Sequence, residues 1–319
     1  MTRKGTHSVV VLEPVMASPV MRSFERVLRA VASKEVTVTF VGESGAGKEV
    51  MARRLHDLSA RRTGPFVPIN CAAIPEALFE SELFGHERGA FTGATDRGLG
   101  KVEMASGGTL FLDEVAEMPL ALQPKLLRFL ETHRFMRVGG TRKLEVDARV
   151  VLATLRPLEA EVRAGRFRAD LYYRIQGIVL DVPPLRERRR DIPALIHAFV
   201  AQLSAIHGCA PPKLTRNARA ALVAHDWPGN VRQLRNVIEF ATILRSGKTV
   251  RIQDLPPGFT RSGEIETDGV PFALDLDRPL AEIVDTIVDH VIALELGNLT
   301  RAAKRLGVSI RTLQRRRRA

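Results

Sequence analysis

The chain has 319 residues, 45% of them hydrophobic and 26% charged, which is enough for a sizeable core and two or three folded units. Its 48 Lys and Arg against 36 Asp and Glu give a formal net charge of +12, pointing toward nucleic acid or another polyanion as a partner. Cys71 and Cys209 lack disulfide or metal spacing and the eight histidines are scattered, so a disulfide scaffold and a structural zinc are excluded and a reducing cytoplasm fits.

Residues 1–20 read as a short tail. The apolar run Val9 to Leu12 is broken by Glu13 and Pro14, too short for a secretory signal, and no later stretch reaches transmembrane length. So few residues cannot form a receiver or ligand-sensing domain, and control is expected from another chain. The run Val36-Thr37-Val38-Thr39-Phe40-Val41 then reads as a strand, followed by Gly42-Glu43-Ser44-Gly45-Ala46-Gly47-Lys48 and a helical pattern over 49–58. Strand, glycine loop and helix together form a phosphate cradle. Glycines admit positive φ and turn amides inward, Lys48 adds a point charge, and the helix start adds its dipole. A nucleoside triphosphate is the implied ligand, although an ordinary glycine turn explains the loop taken alone. The Ser or Thr that usually follows the loop lysine to ligate Mg²⁺ is replaced by Glu49.

Pro65 to Asn70 reads as a second strand ending in a polar residue, placed to reach Glu114. A helix over 76–83 leads into a stretch carrying Gly85, Gly89, Gly93, Gly98 and Gly100, which reads as a mobile loop with Phe91 exposed in it. Gly107 to Glu114 is an apolar strand closed by two carboxylates. Ligands in open α/β sheets sit beyond such strand ends, so Asp113 is expected to orient Mg²⁺ or its waters and Glu114 to polarise an attacking water.

The run Glu82-Leu83-Phe84-Gly85-His86-Glu87, followed by Gly89-Ala90-Phe91-Thr92-Gly93-Ala94, resembles the AAA+ activators of sigma-54 RNA polymerase, the bacterial enhancer-binding proteins. The likeness runs from about Met21 to Phe259. It implies an α/β AAA+ P-loop parallel-sheet subdomain over 21–187, a helical lid over 188–257, a linker over 258–278 and a small all-α helix-turn-helix domain over 279–319. It also implies that loop 89–94 contacts the sigma factor, and that Arg137-Val138-Gly139-Gly140 is a second loop facing a central pore. The strand over 148–154 ends Thr154-Leu155, where relatives place a polar γ-phosphate sensor; leucine lacks the hydrogen bond, leaving Thr154 to carry what remains. Asn70 is the implied partner switch for Glu114.

Phe167 to Arg174 resembles the arginine-finger helix, so Arg168 and Arg174 are expected to reach a neighbour's site in a ring, a hexamer of this chain or a mixed ring with a paralogue. Spacing alone favours two solvated helix arginines, and the resemblance reverses that reading. Beyond Pro183 and Pro184, residues 191–243 carry helical periodicity. Within them the run from Trp227 to Asn236 resembles the family's second sensor, which implies that Asn230 caps a helix on which Arg232 senses nucleotide; an ordinary surface arginine after a buried tryptophan is the alternative. Residues 280–292 form one apolar face at helical spacing, and Thr300–Leu306 and Ser309–Arg318 have helix-turn-helix spacing resembling the Fis type. Arg311, Thr312, Gln314 and Arg315 are the expected base-edge contacts, with Arg316, Arg317 and Arg318 on phosphate; a solvated basic tail is the alternative.

The expected function is a cytoplasmic, DNA-bound activator that binds ATP and Mg²⁺, hydrolyses ATP in a ring, and remodels the sigma-54 RNA polymerase holoenzyme from upstream enhancer DNA, with no membrane contact. ATP contacts are expected from Gly42, Glu43, Ser44, Gly45, Ala46, Gly47, Lys48, Glu49 and Arg232. A nucleotide-binding DNA regulator with little or no turnover is the alternative that Leu155 and Glu49 keep open.

Overall fold

Five short apolar runs pair in parallel to make the central sheet: β1 Val38–Val41, β2 Phe66–Asn70, β3 Thr109–Asp113, β4 Arg149–Thr154 and β5 Ile178–Asp181, in the order β2-β3-β4-β1-β5. The computed structural model describes residues 14–256 and, further on, residues 285, 287–292, 295, 298–306 and 308. β4 is buried along its whole length, as a strand covered on both faces must be.

Alternation of side chains divides the sheet between two cores. Leu110, Leu112, Val150 and Leu152 face one side, against Phe79, Leu83, Leu126, Phe129 and Leu171. Phe111, Val151 and Ala153 face the other, with Phe40, against Phe24, Leu28, Met51 and Leu55. The flanking helices include α1 Pro19–Ala32, α2 Lys48–Asp57, α3 Glu76–Phe84, α4 Gln123–Thr132, α5 Leu158–Arg163 and α6 Ala169–Ile175. The buried Arg149 side chain donates to the carbonyls of Val31 and Ala32, satisfying the C-terminus of α1 from the start of β4.

The strand registers align one edge of the sheet. Asn70 pairs with Asp113, and Val41 with Thr154 on one side and Asp181 on the other. The order reverses at β1, so the loop after β1 opens at the switch point where open α/β sheets place ligands.

Helices α7 Ile192–His207, α8 Arg216–Ala224 and α9 Asn230–Leu244 make the lid. Trp227 is fully buried and donates its indole N–H to the Leu222 carbonyl over 2.8 Å. Sheet and lid belong to one compact unit ending at Leu255, and residues from Pro256 form a second. In that second unit Ala302 and Ala303, on α10 Leu299–Leu306, pack against Val288 and Ile292, whose segment 287–292 is helical. The expected recognition residues Arg311, Thr312, Gln314 and Arg315, and the linker, lie outside the described residues. Among the described residues no helix is long and apolar enough to cross a membrane.

Candidate functional site

The loop after β1 delivers Lys48 to the aligned strand edge. Its ammonium donates to the Gly42 carbonyl at 2.9 Å and lies 3.2 Å from Glu114 Oε1, with the side chain 6% exposed. Asp113 ends β3 beside it. Burial, followed by the neighbouring Glu114 charge, pushes the Asp113 carboxyl above the usual carboxylate range. Glu114 itself sits at φ 52°, a left-handed backbone uncommon outside glycine and frequent at working sites. Its Oε2 accepts from the backbone amide of Leu155 at 3.0 Å. A buried lysine, two carboxylates and a strand-end amide therefore converge on the mouth of the glycine loop.

Three expectations change in detail. Asn70 does not engage Glu114: its Oδ1 accepts from the Ala72 amide at 2.9 Å and holds the turn Cys71–Ala73. The Thr154 hydroxyl donates to the Arg156 carbonyl at 3.0 Å and accepts from the Arg156 amide at 3.1 Å, so it closes its own turn instead of facing the loop. Leu155 supplies through its backbone the polar link its side chain cannot. Any residue but proline carries that donor, which is why sequence gives no sign of it.

Asn230 is not a helix cap either. Gly229 occupies the cap position, and the Gln233 side chain takes up the Gly229 amide at 2.9 Å. Asn230 has φ 52° and is fully buried, with its amide side chain turned onto Glu43 and Ser44. Arg232 donates to the Ser44 hydroxyl at 3.0 Å, placing the expected second sensor at the loop. Glu49 lies exposed in the first turn of α2.

Loop 89–94 is closed at its base by the Gly89 amide on the Ala94 carbonyl at 2.8 Å. Phe91 is 41% exposed with its ring centroid 5.0 Å from that of His86 in an edge-on contact, Thr92 and Gly93 are exposed, and Ala90 is partly covered. Segment 137–140 is fastened to that base: the Val138 carbonyl accepts from Glu87, and buried Arg137 pairs with Glu87 and Glu103. Arg168 sits at the cap of α6, just outside the helix, paired with Asp170 at 2.7 Å and exposed. Arg174 donates to the Leu130 carbonyl at 2.8 Å and lines a cavity of about 400 Å³ with Glu35, Arg61 and Arg149, at the sheet edge opposite Lys48. Neither arginine belongs to the cluster around its own glycine loop.

A reversed parallel sheet, a glycine loop at its switch point and a helical lid together define a P-loop protein of AAA+ architecture. The chain belongs to the sigma-54-dependent transcriptional activators: residues 15–181 match the sigma-54 interaction domain family, 186–270 the AAA+ ATPase lid domain, and 287–319 the Fis family of bacterial regulatory proteins. Regulatory protein AtoC of Escherichia coli is 44% identical over 300 residues, covering 93% of this chain and 65% of AtoC. FlbD of Caulobacter vibrioides is 42% identical over 312 residues, covering 94% and 68%. The chain thus spans about two thirds of the length of these relatives. NtrX from Brucella abortus, solved with ADP, superposes with a TM-score of 0.71 at 37% identity over 95% of this chain and 68% of NtrX; the form with ATP gives 0.72.

Proposed function

We propose that this chain is a DNA-bound activator that binds and hydrolyses ATP in a ring and uses loop 89–94 to remodel a sigma-54 RNA polymerase complex. The convergence of Lys48, Asp113 and Glu114 on the glycine loop supports the ATPase reading. So does the likeness to NtrX, a protein solved with ADP and with ATP. Lys48 and the loop amides bind the phosphates. The negative charge of ATP draws Lys48 away from Glu114, whose carboxylate is then free to take a proton from water. Oxygen of that water attacks the γ-phosphorus, the bond to the bridging β,γ oxygen breaks, and ADP and inorganic phosphate leave. The Leu155 amide holds Glu114 in place through its second oxygen.

Mg²⁺ fits the donor set: the Asp113 carboxylate, raised in pKa by burial and a like charge, is a hard oxygen ligand, and its Oδ1 accepts from the Glu114 amide at 3.1 Å. Asp113 would hold the ion, which would supply charge neutralisation at the phosphates.

Arg168 and Arg174 sit away from their own loop, and an exposed pair such as Arg168–Asp170 costs little to break. This supports their use across a subunit interface, in a homomeric or mixed ring, to stabilise a neighbour's transferring phosphoryl group. The Fis-type match supports binding to upstream DNA, and the cytoplasm is the expected location. Thr92→Ala tests the remodelling step: ATP turnover is expected to stay within about twofold, since Thr92 touches none of the phosphate-site groups, while transcription from a sigma-54 promoter is lost. Unchanged transcription would remove the remodelling claim. Measured ATP turnover by the purified chain separates this reading from a regulator that holds nucleotide without cleaving it.

A further inference from the structure

The outer arc of the phosphate loop is bonded residue by residue to the lid and to the segment that enters it. The guanidinium of Arg186 meets both oxygens of Glu43, at 2.8 and 2.6 Å. Asn230 Nδ2 donates to Glu43 Oε2 at 3.0 Å and to the Ser44 carbonyl at 3.1 Å, while its Oδ1 accepts from the Leu185 amide at 2.8 Å. The Val231 amide donates to the Gly45 carbonyl at 3.0 Å, and buried Arg188 donates to the Ala46 carbonyl. Three consecutive loop carbonyls thus point at lid-side donors.

In a planar trans peptide the N–H of the next residue points the opposite way. Holding the carbonyls of Ser44, Gly45 and Ala46 outward turns the amides of Gly45, Ala46 and Gly47 toward the other side of the loop. The Ala46 amide already closes a turn onto the Glu43 carbonyl at 3.2 Å, which leaves those of Gly45 and Gly47 as the pair set by the lid. Asn230 is the centre of the arrangement. Among the described residues it alone spans Glu43, Ser44 and Leu185, and it is fully buried at a positive φ. An amide there is also the one neutral group that donates to both Glu43 and Ser44 while accepting from Leu185.

We infer that Asn230 is a positioning residue for phosphate binding, acting through Glu43 and Ser44, so that the affinity of the loop for a nucleotide depends on the seating of the lid. This rests on the nucleotide-binding reading above. It places lid control in a neutral amide on the loop's outer face, in addition to the charge of Arg232. When the lid shifts, Asn230 releases the Ser44 carbonyl, and the facing amides lose their common aim.

The test uses the full chain and the fluorescent nucleotide N-methylanthraniloyl-ADP, with affinity read by fluorescence titration and folding by thermal melting. The wild-type chain is expected to bind; if it does not, the nucleotide reading itself fails. Asn230→Asp keeps size and the acceptor for Leu185, but replaces the donor with a charge facing Glu43. A loss of about tenfold or more in affinity is expected, as for a buried donor removed and a like charge introduced. Adding Glu43→Gln should restore affinity only in part, because its amide donates to the new carboxylate while the Ser44 carbonyl still lacks its donor. Affinity of N230D within about twofold of wild type, or full restoration by E43Q, which would leave the Ser44 contact without effect, would overturn the inference. Should N230D not fold, Asn230→Gly, which suits the positive φ, is measured instead. A loss of about fivefold or more supports the inference and a smaller one overturns it.

Discussion

Two glycine-rich loops in this unit, 42–48 and 89–94, are alike in composition and opposite in support. In the first, Glu43, Ser44, Gly45 and Ala46 each hydrogen-bond to a lid-side group. The second is closed across its neck, and from there its tip projects with Phe91 resting against one histidine. Glycine content therefore does not measure mobility. What decides it is whether the carbonyls and side chains of the loop find partners elsewhere in the fold. The first loop is built to hold a charged ligand with little reorganisation, and the second to present two side chains outward.

The largest expected effect bears on the chemistry the first loop serves. Glu114→Gln should slow ATP turnover by about 10³-fold while nucleotide binding survives, because proton transfer in the transition state is lost and the phosphate cradle is not. Near-normal turnover by E114Q would remove Glu114 from the reaction.

Next, the difference in support should appear in stability. A methyl group added at Gly45 would come within 2.5 Å of the Gly229 carbonyl oxygen and 2.9 Å of Arg232 Cβ, at φ +72°. Gly45→Ala is accordingly expected to cost about 3 kcal/mol of unfolding free energy, from crowding and left-handed backbone together. At Gly93, with φ +102° and nothing within 4 Å, only backbone strain opposes a methyl group, and Gly93→Ala is expected to cost about 1 kcal/mol. Urea denaturation of the two variants compares them directly, and equal costs would break the contrast.

The smallest effect concerns acid. The two bonds from Arg186, then the one from Asn230, hold the Glu43 carboxyl at about 2, against an ordinary 4.5. A depressed carboxylate contributes stability that is complete above the ordinary value and lost as the pH falls from about 4.5 toward 2. The pair is partly solvated, so its share is modest. Glu43→Gln should flatten the stability slope in that window and leave it unchanged near neutrality; an unaltered acid slope would mean that Glu43 is not held this way.

Much of this architecture was legible in sequence. The apolar runs ending at Val41, Asn70, Asp113 and Thr154 are strands because β-branched and aromatic residues in short blocks suit a sheet covered on both faces. The spacing of Gly42 to Lys48 marked the phosphate loop, and the motif at 89–94 marked the family. The first strand starts two residues later than its β-branched run suggested, and Val36 and Thr37 line the cavity at the sheet's far edge. What sequence did not give were partners far apart in the chain. Arg186 and Asn230 meet Glu43 from 143 and 187 residues away. Asn230 is a preferred cap type standing at a helix start, so local chemistry pointed to the wrong partner. The Leu155 amide was hidden for the opposite reason, since a backbone donor is common to every residue but proline and leaves no mark in the residue type.

Whether hydrolysis is completed between subunits is tested most directly by ATP turnover in a mixture of Arg174→Ala and Glu114→Gln protein, each expected to be nearly inactive alone. Completion across an interface predicts that the mixture regains turnover, because an E114Q subunit lends Arg174 to the intact phosphate site of an R174A neighbour. A mixture as inactive as either variant alone would contradict the account.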